Sequence, residues 1–142
     1  MVLNELFNVV TKTALDTEKL GIKFSKIISK GDIITLNGNL GSGKTTFVKG
    51  VLKGLNYQNE VTSPTYTLVN EYDADYKIIH IDCFREKNID RWLNIGLTDY
   101  FSKHNIIFIE WPEIIGSILP STTIDLFFEI KNADKRFIKY YE

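Results

Sequence analysis

The chain contains a single cysteine, Cys83, and has no excess of either charge. Its 142 residues include 17 Lys and Arg and 18 Asp and Glu, giving a formal net charge of −1. One cysteine excludes an intramolecular disulfide and supplies too few ligands for a zinc site, and it is compatible with a reducing cytoplasm. The balanced charge argues against a large nucleic-acid-binding face on the chain itself.

The sequence also lacks long apolar segments. No stretch approaches the length of a transmembrane helix. The N-terminal MVLNELFNVV has no basic start and is interrupted by Asn4 and Glu5, so we expect neither a membrane anchor nor a signal peptide. Repeats, low-complexity tracts and linkers are absent as well. With 44% hydrophobic and 25% charged residues, residues 1–142 are expected to form a single globular domain.

Hydrophobic periodicity predicts alternating strands and helices. The predicted elements are a strand over 5–10, a helix over 13–28, a strand over 32–38, a helix over 44–54, a hairpin of strands over 66–72 and 76–82, helical segments on either side of Gly96, a strand over 105–110 and a closing hairpin over 123–130 and 136–141. Thr13 and Asp16 have capping-box spacing, Gly31 is suited to end the first helix, and Thr98 is predicted to cap the segment after Gly96. This order predicts an α/β three-layer sandwich with a mixed, mainly parallel central sheet and a C-terminal antiparallel hairpin.

GNLGSGKTT, residues 38–46, matches the Walker A pattern G-x-x-x-x-G-K-[ST]. An apolar run precedes it and helical spacing follows it. The loop is therefore expected to lie between a strand and a helix, as the pattern requires, in a sandwich of the P-loop NTPase type.

Each residue type in this loop suits a nucleotide phosphate. Glycines let the backbone approach phosphate oxygens, and consecutive N–H groups form an anion nest that the start of the following helix reinforces. Lys44 is placed to reach the β- and γ-phosphates, Thr45 to ligate Mg²⁺ and Thr46 to reach the α-phosphate. The predicted nucleotide-binding residues are Asn39, Leu40, Gly41, Ser42, Gly43, Lys44, Thr45 and Thr46.

Two predicted strands end in a carboxylate, IIHID in Asp82 and IIFIE in Glu110. The carboxyl ends of parallel strands meet beside such a loop, where a carboxylate can hold Mg²⁺ directly or through water. Lys44, Asp82 and Glu110 are the predicted catalytic residues. His80 points to the same sheet face as Asp82 and is predicted either to position a water, to contact Asp82 or to be a structural histidine.

VTSPTYT, residues 61–67, lies between the predicted Walker helix and the next strand, where many P-loop proteins carry a loop that senses the γ-phosphate. Ser63, Pro64 and Thr65 suit a semi-rigid polar loop. A plain turn into the strand is the simpler alternative.

Further absences narrow the class of P-loop protein. A GTPase carries D-x-x-G and N-K-x-D, but this chain has DCFR at 82–85 and no N-K-x-D, which disfavours GTP. A metabolite kinase usually clamps its substrate with several arginines from a lid, whereas this chain has three in all, Arg85, Arg91 and Arg136. Arg136 is also a candidate contact to the base or ribose.

The motifs GNLGSGKTTFVKGVLKGL, VTSPTYTLVNEY, HIDCFR and IEWPE, taken in this order, resemble the TsaE (formerly YjeE) family over about Thr17 to Pro120. The chain departs from the family pattern at Asn39, where Asp is usual, at Ser42, where Ala is usual, and at Phe84, where the H-x-D-x-Y-R motif has Tyr. The loss of that hydroxyl removes any hydrogen bond it makes and keeps the aromatic ring.

The resemblance implies an ATP- and Mg²⁺-dependent ATPase, with Thr45 and Glu110 as metal ligands, Asp82 essential for hydrolysis and residues 61–67 acting as a switch. It also implies two protein partners, a threonylcarbamoyl-transferase subunit and its paralogous platform subunit (TsaD and TsaB type). These modify adenosine 37 of tRNA, so tRNA would be met only through the complex, and ATP hydrolysis would reset that complex between cycles. A small-molecule kinase and a non-hydrolysing nucleotide sensor remain the alternatives.

Overall fold

A computed structural model describes residues 2–64, 67–102 and 104–141. The helices are α1 (Val2–Leu6), α2 (Ala14–Phe24), α3 (Lys44–Gly54), α4 (Ile89–Asn94) and α5 (Leu97–Tyr100), with a 3₁₀ helix at Pro112–Ile118. The strands are β1 (Val9–Thr11), β2 (Ile33–Asn37), β3 (Val69–Asp73), β4 (Lys77–Asp82), β5 (Asn105–Glu110), β6 (Ile124–Ile130) and β7 (Arg136–Tyr140). Among the described helices, none has the length and apolar character needed to cross a membrane.

The strands form one seven-stranded sheet in the order β1-β7-β6-β2-β5-β4-β3. Strands β6, β2, β5 and β4 run parallel to one another, and antiparallel strands flank them on both sides, β7 and β1 beyond β6 and β3 beyond β4. The predicted mixed sheet and the C-terminal hairpin are confirmed.

Each face of the central sheet carries its own hydrophobic core. On one face, helices α2 and α3 pack against alternate residues of the strands, with Phe24, Phe47 and Phe108 fully buried. On the other face, α4, α5 and the 3₁₀ helix cover the intervening residues around Trp92. Strands β2, β4 and β5 between them are nearly continuous apolar runs because both of their faces are buried. This is the predicted three-layer arrangement.

The strand predicted over 5–10 is wrong at its start, because residues 5 and 6 belong to α1. Leu3 and Phe7 are buried, while Glu5 is exposed. A strand would direct all three side chains to one face, whereas a helix separates Glu5 from the other two. The Phe7 N–H accordingly donates to the Leu3 carbonyl at 3.0 Å, and the strand is limited to Val9–Thr11.

Helix α2 begins as predicted, because the Thr13 hydroxyl accepts from the Asp16 N–H at 3.1 Å. It ends earlier than predicted, at Phe24. The Ser25 hydroxyl donates to the Ile22 carbonyl at 2.5 Å, and the next N–H groups bond three residues back instead of four, which tightens and closes the last turn. Gly31 lies beyond the helix, in the turn that leads into β2.

Two features near the other helices also differ from the sequence prediction. Thr98 does not cap α5; it lies inside the helix, and the N-cap is Gly96 with φ of 86°. The left-handed conformation of this N-cap favours glycine, and no side chain caps the helix by a hydrogen bond. The 3₁₀ helix after β5 was not predicted; it follows Trp111, whose φ is 55°.

Helices α2 and α3 approach each other at two glycines. A Cβ added to Gly50 would collide with the backbone carbonyl of Glu18, and one added to Gly21 would collide with that of Phe47. Backbone cannot move aside as the end of a side chain can. The position of the loop that precedes α3 therefore depends on this close contact.

We predict that Gly50→Ala lowers the free energy of unfolding by about 1–3 kcal/mol, because the added methyl group forces the two helices apart. Denaturant unfolding measures the change. Gly116→Ala is the matched control, since a Cβ there meets nothing within 4 Å; it is expected to change stability by less than about 0.5 kcal/mol. Equal stabilities for the two variants would contradict the close helix contact.

Candidate functional site

The loop between β2 and α3 has a backbone shape that requires glycine. Gly41 and Gly43 have φ of 78° and 101°, and Gly43 is the left-handed N-cap of α3. At Gly38, a Cβ would lie 2.5 Å from the Phe128 carbonyl and 2.7 Å from Ser42 Oγ. The first N–H groups of α3 have no acceptor within the helix and are directed toward this loop, as an anion site requires.

An open cavity of about 400 Å³ lies above the loop. Of the predicted nucleotide-binding residues, 40–46 line it, and Glu110 lies among them. Asn39 does not line the cavity; its backbone carbonyl accepts from the Ser42 N–H at 3.1 Å and so closes a turn of the loop. These binding roles remain predictions.

Sequence reasoning missed part of the cavity wall. Thr13, Ala14 and Thr17, at the start of α2, line the cavity, and so do residues 133 and 134 of the β6–β7 turn. The Thr11 and Thr17 hydroxyls share a hydrogen bond of 2.7 Å. No local motif in the sequence marks these positions, because only the folded sheet brings β1 and β7 beside the loop.

Lys44 is buried, with a relative exposure of 4%. Its Nζ donates to the Gly38 carbonyl at 2.5 Å, lies 3.5 Å from Glu110 Oε1 and sits 4.5 Å from the centre of the Trp111 ring. Burial lowers the pKa of Lys44, although the charges of Glu110 and Asp82 act in the opposite direction. The ammonium charge is therefore incompletely compensated, and an anion beside it would be stabilised.

Glu110 lies at the end of β5 and uses its two carboxylate oxygens differently. Oε1 faces Lys44, and Oε2 is 2.6 Å from His80 Nε2. Burial alone raises the pKa of Glu110, but the hydrogen bond from His80 and the charges of His80 and Lys44 outweigh it, so the pKa lies below its ordinary value. Glu110 is thus held as a carboxylate at neutral pH.

Asp82 ends β4 directly beside Glu110 in the parallel register. It is 2% exposed, and its Oδ1 accepts from the Phe84 N–H at 2.8 Å. It is absent from the cavity wall that Glu110 joins. The structure therefore brings Lys44 and Glu110 together and leaves Asp82 outside the cavity wall. His80 contacts Glu110, whereas a contact with Asp82 was one of the alternatives from the sequence.

Buried polar atoms without a partner concentrate around this site. Within the described ranges, the buried side-chain atoms that make no hydrogen bond are Ser42 Oγ, His80 Nδ1 and Trp111 Nε1. Ser42 lines the cavity, Trp111 packs on Lys44 and His80 bonds Glu110. Such atoms are rare in native cores, and all three lie at or next to the candidate site.

Arg136 connects the β6–β7 turn to the glycine loop. Its Nε and Nη2 donate to the Gly41 carbonyl at 3.2 and 2.9 Å, and its Nη1 donates to the Asn132 carbonyl at 2.9 Å. Arg136 also lines the cavity. Its suggested contact with a base or ribose remains a prediction, while its contact with the loop itself was not anticipated.

The donor set of the cavity suits Mg²⁺ only when phosphate is present. The Thr45 hydroxyl and the Glu110 carboxylate are the hard oxygen ligands that Mg²⁺ prefers. The part of the chain that the structure describes has no group of three or more His, Cys, Asp and Glu side chains able to hold a metal ion. The remaining ligands would have to be phosphate oxygens and water.

The predicted sensing loop is described only in part. Ser63 lines the cavity, and the Thr62 carbonyl accepts from Tyr72 Oη at 3.0 Å and from Asn70 Nδ2 at 3.1 Å. These bonds tie the loop to β3. The Pro64 carbonyl accepts from the Leu68 N–H at 2.8 Å, and Thr65, the third residue predicted to shape the loop, lies outside the described residues.

Comparison with known proteins identifies the family. The sequence model described as "Threonylcarbamoyl adenosine biosynthesis protein TsaE" matches residues 11–138. The chain belongs to the TsaE family. The match extends beyond the segment on which the resemblance rested, and it includes both the start of α2 and Arg136.

Individual TsaE proteins agree with this assignment. The chain is 37% identical over 141 residues to a tRNA threonylcarbamoyladenosine biosynthesis protein TsaE of Aquifex aeolicus, covering 96% of each chain. It is 41% identical over 112 residues to the Haemophilus influenzae TsaE, covering 75% of this chain and 71% of that one. The crystal structure of Bacillus subtilis YdiB superposes with a TM-score of 0.79 at 28% identity, covering 93% and 82% of the two chains.

We predict that Arg136→Ala loosens the glycine loop. It removes two hydrogen bonds to Gly41, each worth about 0.5–1.5 kcal/mol, so amide hydrogen exchange in residues 38–43 should accelerate about tenfold. Lys135→Ala, on the same turn, is the control and should leave exchange in the loop unchanged. Equal exchange in the wild type and Arg136→Ala would show that this contact does not order the loop.

Proposed function

We propose that this protein binds ATP with Mg²⁺ and hydrolyses it slowly on its own and faster in complex with two partners. The partners are the threonylcarbamoyl-transferase subunit and its paralogous platform subunit (TsaD and TsaB type). The observation that carries the proposal is the desolvated Lys44 ammonium at the start of α3, inside a glycine loop that lines a cavity. This arrangement favours a polyphosphate.

Lys44 and the N–H groups at the start of α3 would hold the β- and γ-phosphates, and Thr46 would contact the α-phosphate. Thr45 and Glu110 would hold Mg²⁺, directly or through water, and the ion would neutralise charge that develops on the phosphates. Asp82, beside Glu110 in the parallel register, would support hydrolysis by orienting water or metal. The chain would therefore act by positioning and electrostatic stabilisation, as P-loop enzymes do.

The biological context comes from the family. Its characterised members are named for tRNA threonylcarbamoyladenosine biosynthesis. With a net charge of −1, this chain is suited to dock on a protein complex that itself holds the tRNA, and it meets tRNA only through that complex. ATP hydrolysis would reset the complex between cycles of modification at position 37, in the cytoplasm.

The positions of the arginines argue against a kinase that transfers phosphate to a small molecule. Arg91 is 66% exposed at its side chain and pairs with Glu86 at 3.3 Å. Of the three arginines, Arg136 lies in the described cavity wall, and it bonds the loop carbonyl. A kinase would need further cations around the transferred phosphoryl group.

We predict slow ATP hydrolysis by the purified protein and marked stimulation by the two partners. Lys44→Ala and Glu110→Gln should each lower the stimulated rate by about 10²–10³-fold, because each removes charge stabilisation at the reacting phosphates. Lys49→Ala, an exposed lysine on the same helix, should keep the wild-type rate. The rate of phosphate release is measured, with the purified partners present, for the wild type and for these three variants.

The same assay separates the alternatives. Nucleotide binding with no turnover under any condition would indicate a non-hydrolysing nucleotide sensor. Phosphate appearing on a metabolite, with no free phosphate released, would indicate a kinase. Either result would contradict the proposal.

A further inference from the structure

His80 is a polar residue in an otherwise apolar stretch of β4. It is fully buried, as are Ile78, Ile79 and Ile81 around it on the strand. Its neighbour across the parallel register is Phe108. An aliphatic or aromatic residue would fill this position equally well, so packing alone does not explain the presence of a buried imidazole.

The imidazole makes one strong contact and leaves one nitrogen unused. Nε2 is 2.6 Å from Glu110 Oε2, and since an ionised carboxylate only accepts hydrogen bonds, the hydrogen lies on Nε2. Nδ1 has no hydrogen-bond partner among the described residues.

This contact fixes the orientation of Glu110. With Oε2 held by His80 from β4, Oε1 is left to face Lys44 at 3.5 Å, on the cavity side. A carboxylate at the end of a strand otherwise rotates freely about its terminal bond, because that torsion has broad minima. One oxygen is thus anchored inside the sheet, and the other is directed at the place where phosphate and metal would bind.

We propose that His80 is a positioning residue that aims Glu110 at the Mg²⁺–phosphate position of the cavity. The inference rests on the proposed function, since it assumes that Glu110 serves Mg²⁺. His80 itself touches neither nucleotide nor metal. Its loss should weaken what Mg²⁺ contributes to nucleotide binding and leave Mg²⁺-free binding, which depends on Lys44 and the loop, unchanged.

A pair of amide variants tests this. His80→Gln places its amide N–H, on Nε2, at the reach of the imidazole Nε2, while His80→Asn is one methylene shorter and cannot reach Glu110. Titration calorimetry with ADP, with and without Mg²⁺, measures the increase in ADP affinity that Mg²⁺ causes, the Mg²⁺ gain. This gain should be strong for the wild type, mostly kept in His80→Gln and at least tenfold smaller in His80→Asn. Mg²⁺-free affinities should agree within about twofold.

Two further variants separate positioning from general damage. Ile81→Val truncates a buried residue on the opposite face of β4 and should keep the full Mg²⁺ gain. In a Glu110→Gln background, His80→Asn should cause no additional loss, because His80 acts through Glu110. An additional loss of tenfold there would overturn the inference, and so would equal Mg²⁺ gains in the Gln, Asn and wild-type proteins.

A spectroscopic readout does not depend on a folded His80 variant. In the wild type, the buried Nε2–H bonded to a carboxylate should give a slowly exchanging, far-downfield proton resonance. In Glu110→Gln that resonance should move upfield, and its absence from the wild type would overturn the inference. A wild-type protein whose ADP affinity ignored Mg²⁺ would overturn the proposed function together with this inference, whereas a wild-type Mg²⁺ gain shared by His80→Asn would overturn the inference alone.

Discussion

A single buried ammonium, that of Lys44, constrains the architecture around it. An ammonium removed from water requires compensating groups, and here they come from distant parts of the chain. The loop supplies the Gly38 carbonyl, β5 supplies Glu110, and the residue after β5 supplies the Trp111 ring. The parallel order of β2, β5 and β4 is what makes this convergence possible, because it brings the carboxyl ends of the strands to one edge.

The compensation is incomplete, and this connects the structure to its proposed activity. Burial still lowers the pKa of Lys44 despite the opposing charges of Glu110, Asp82 and Glu113, so an anion beside this cation would stabilise it further. A phosphate entering the cavity would take the place of the Gly38 carbonyl at Nζ.

Much of the site was predictable because its signals are local. The Walker pattern fixes the loop, Lys44 and Thr45, and apolar runs fix β2, β4 and β5, whose last residues include Asp82 and Glu110. The failures have non-local causes. Residues 5 and 6 of the predicted strand belong to a short helix, and a helix of five residues has too few positions for its hydrophobic pattern to distinguish it from a strand. Arg136 is distant in sequence from the loop it contacts, and the pairing of His80 with Glu110, not Asp82, depends on the side-chain conformations of adjacent strands.

The most direct test of the account compares ligands that differ only in their phosphates. Thermal unfolding would be followed with Mg²⁺ and saturating ATP, ADP, AMP or adenosine. The account predicts that ATP and ADP raise the unfolding temperature while AMP and adenosine leave it nearly unchanged, because Lys44 and the start of α3 would bind the β-phosphate and beyond. Equal stabilisation by adenosine and ATP would contradict it, since binding would then depend on the base and not on the buried cation.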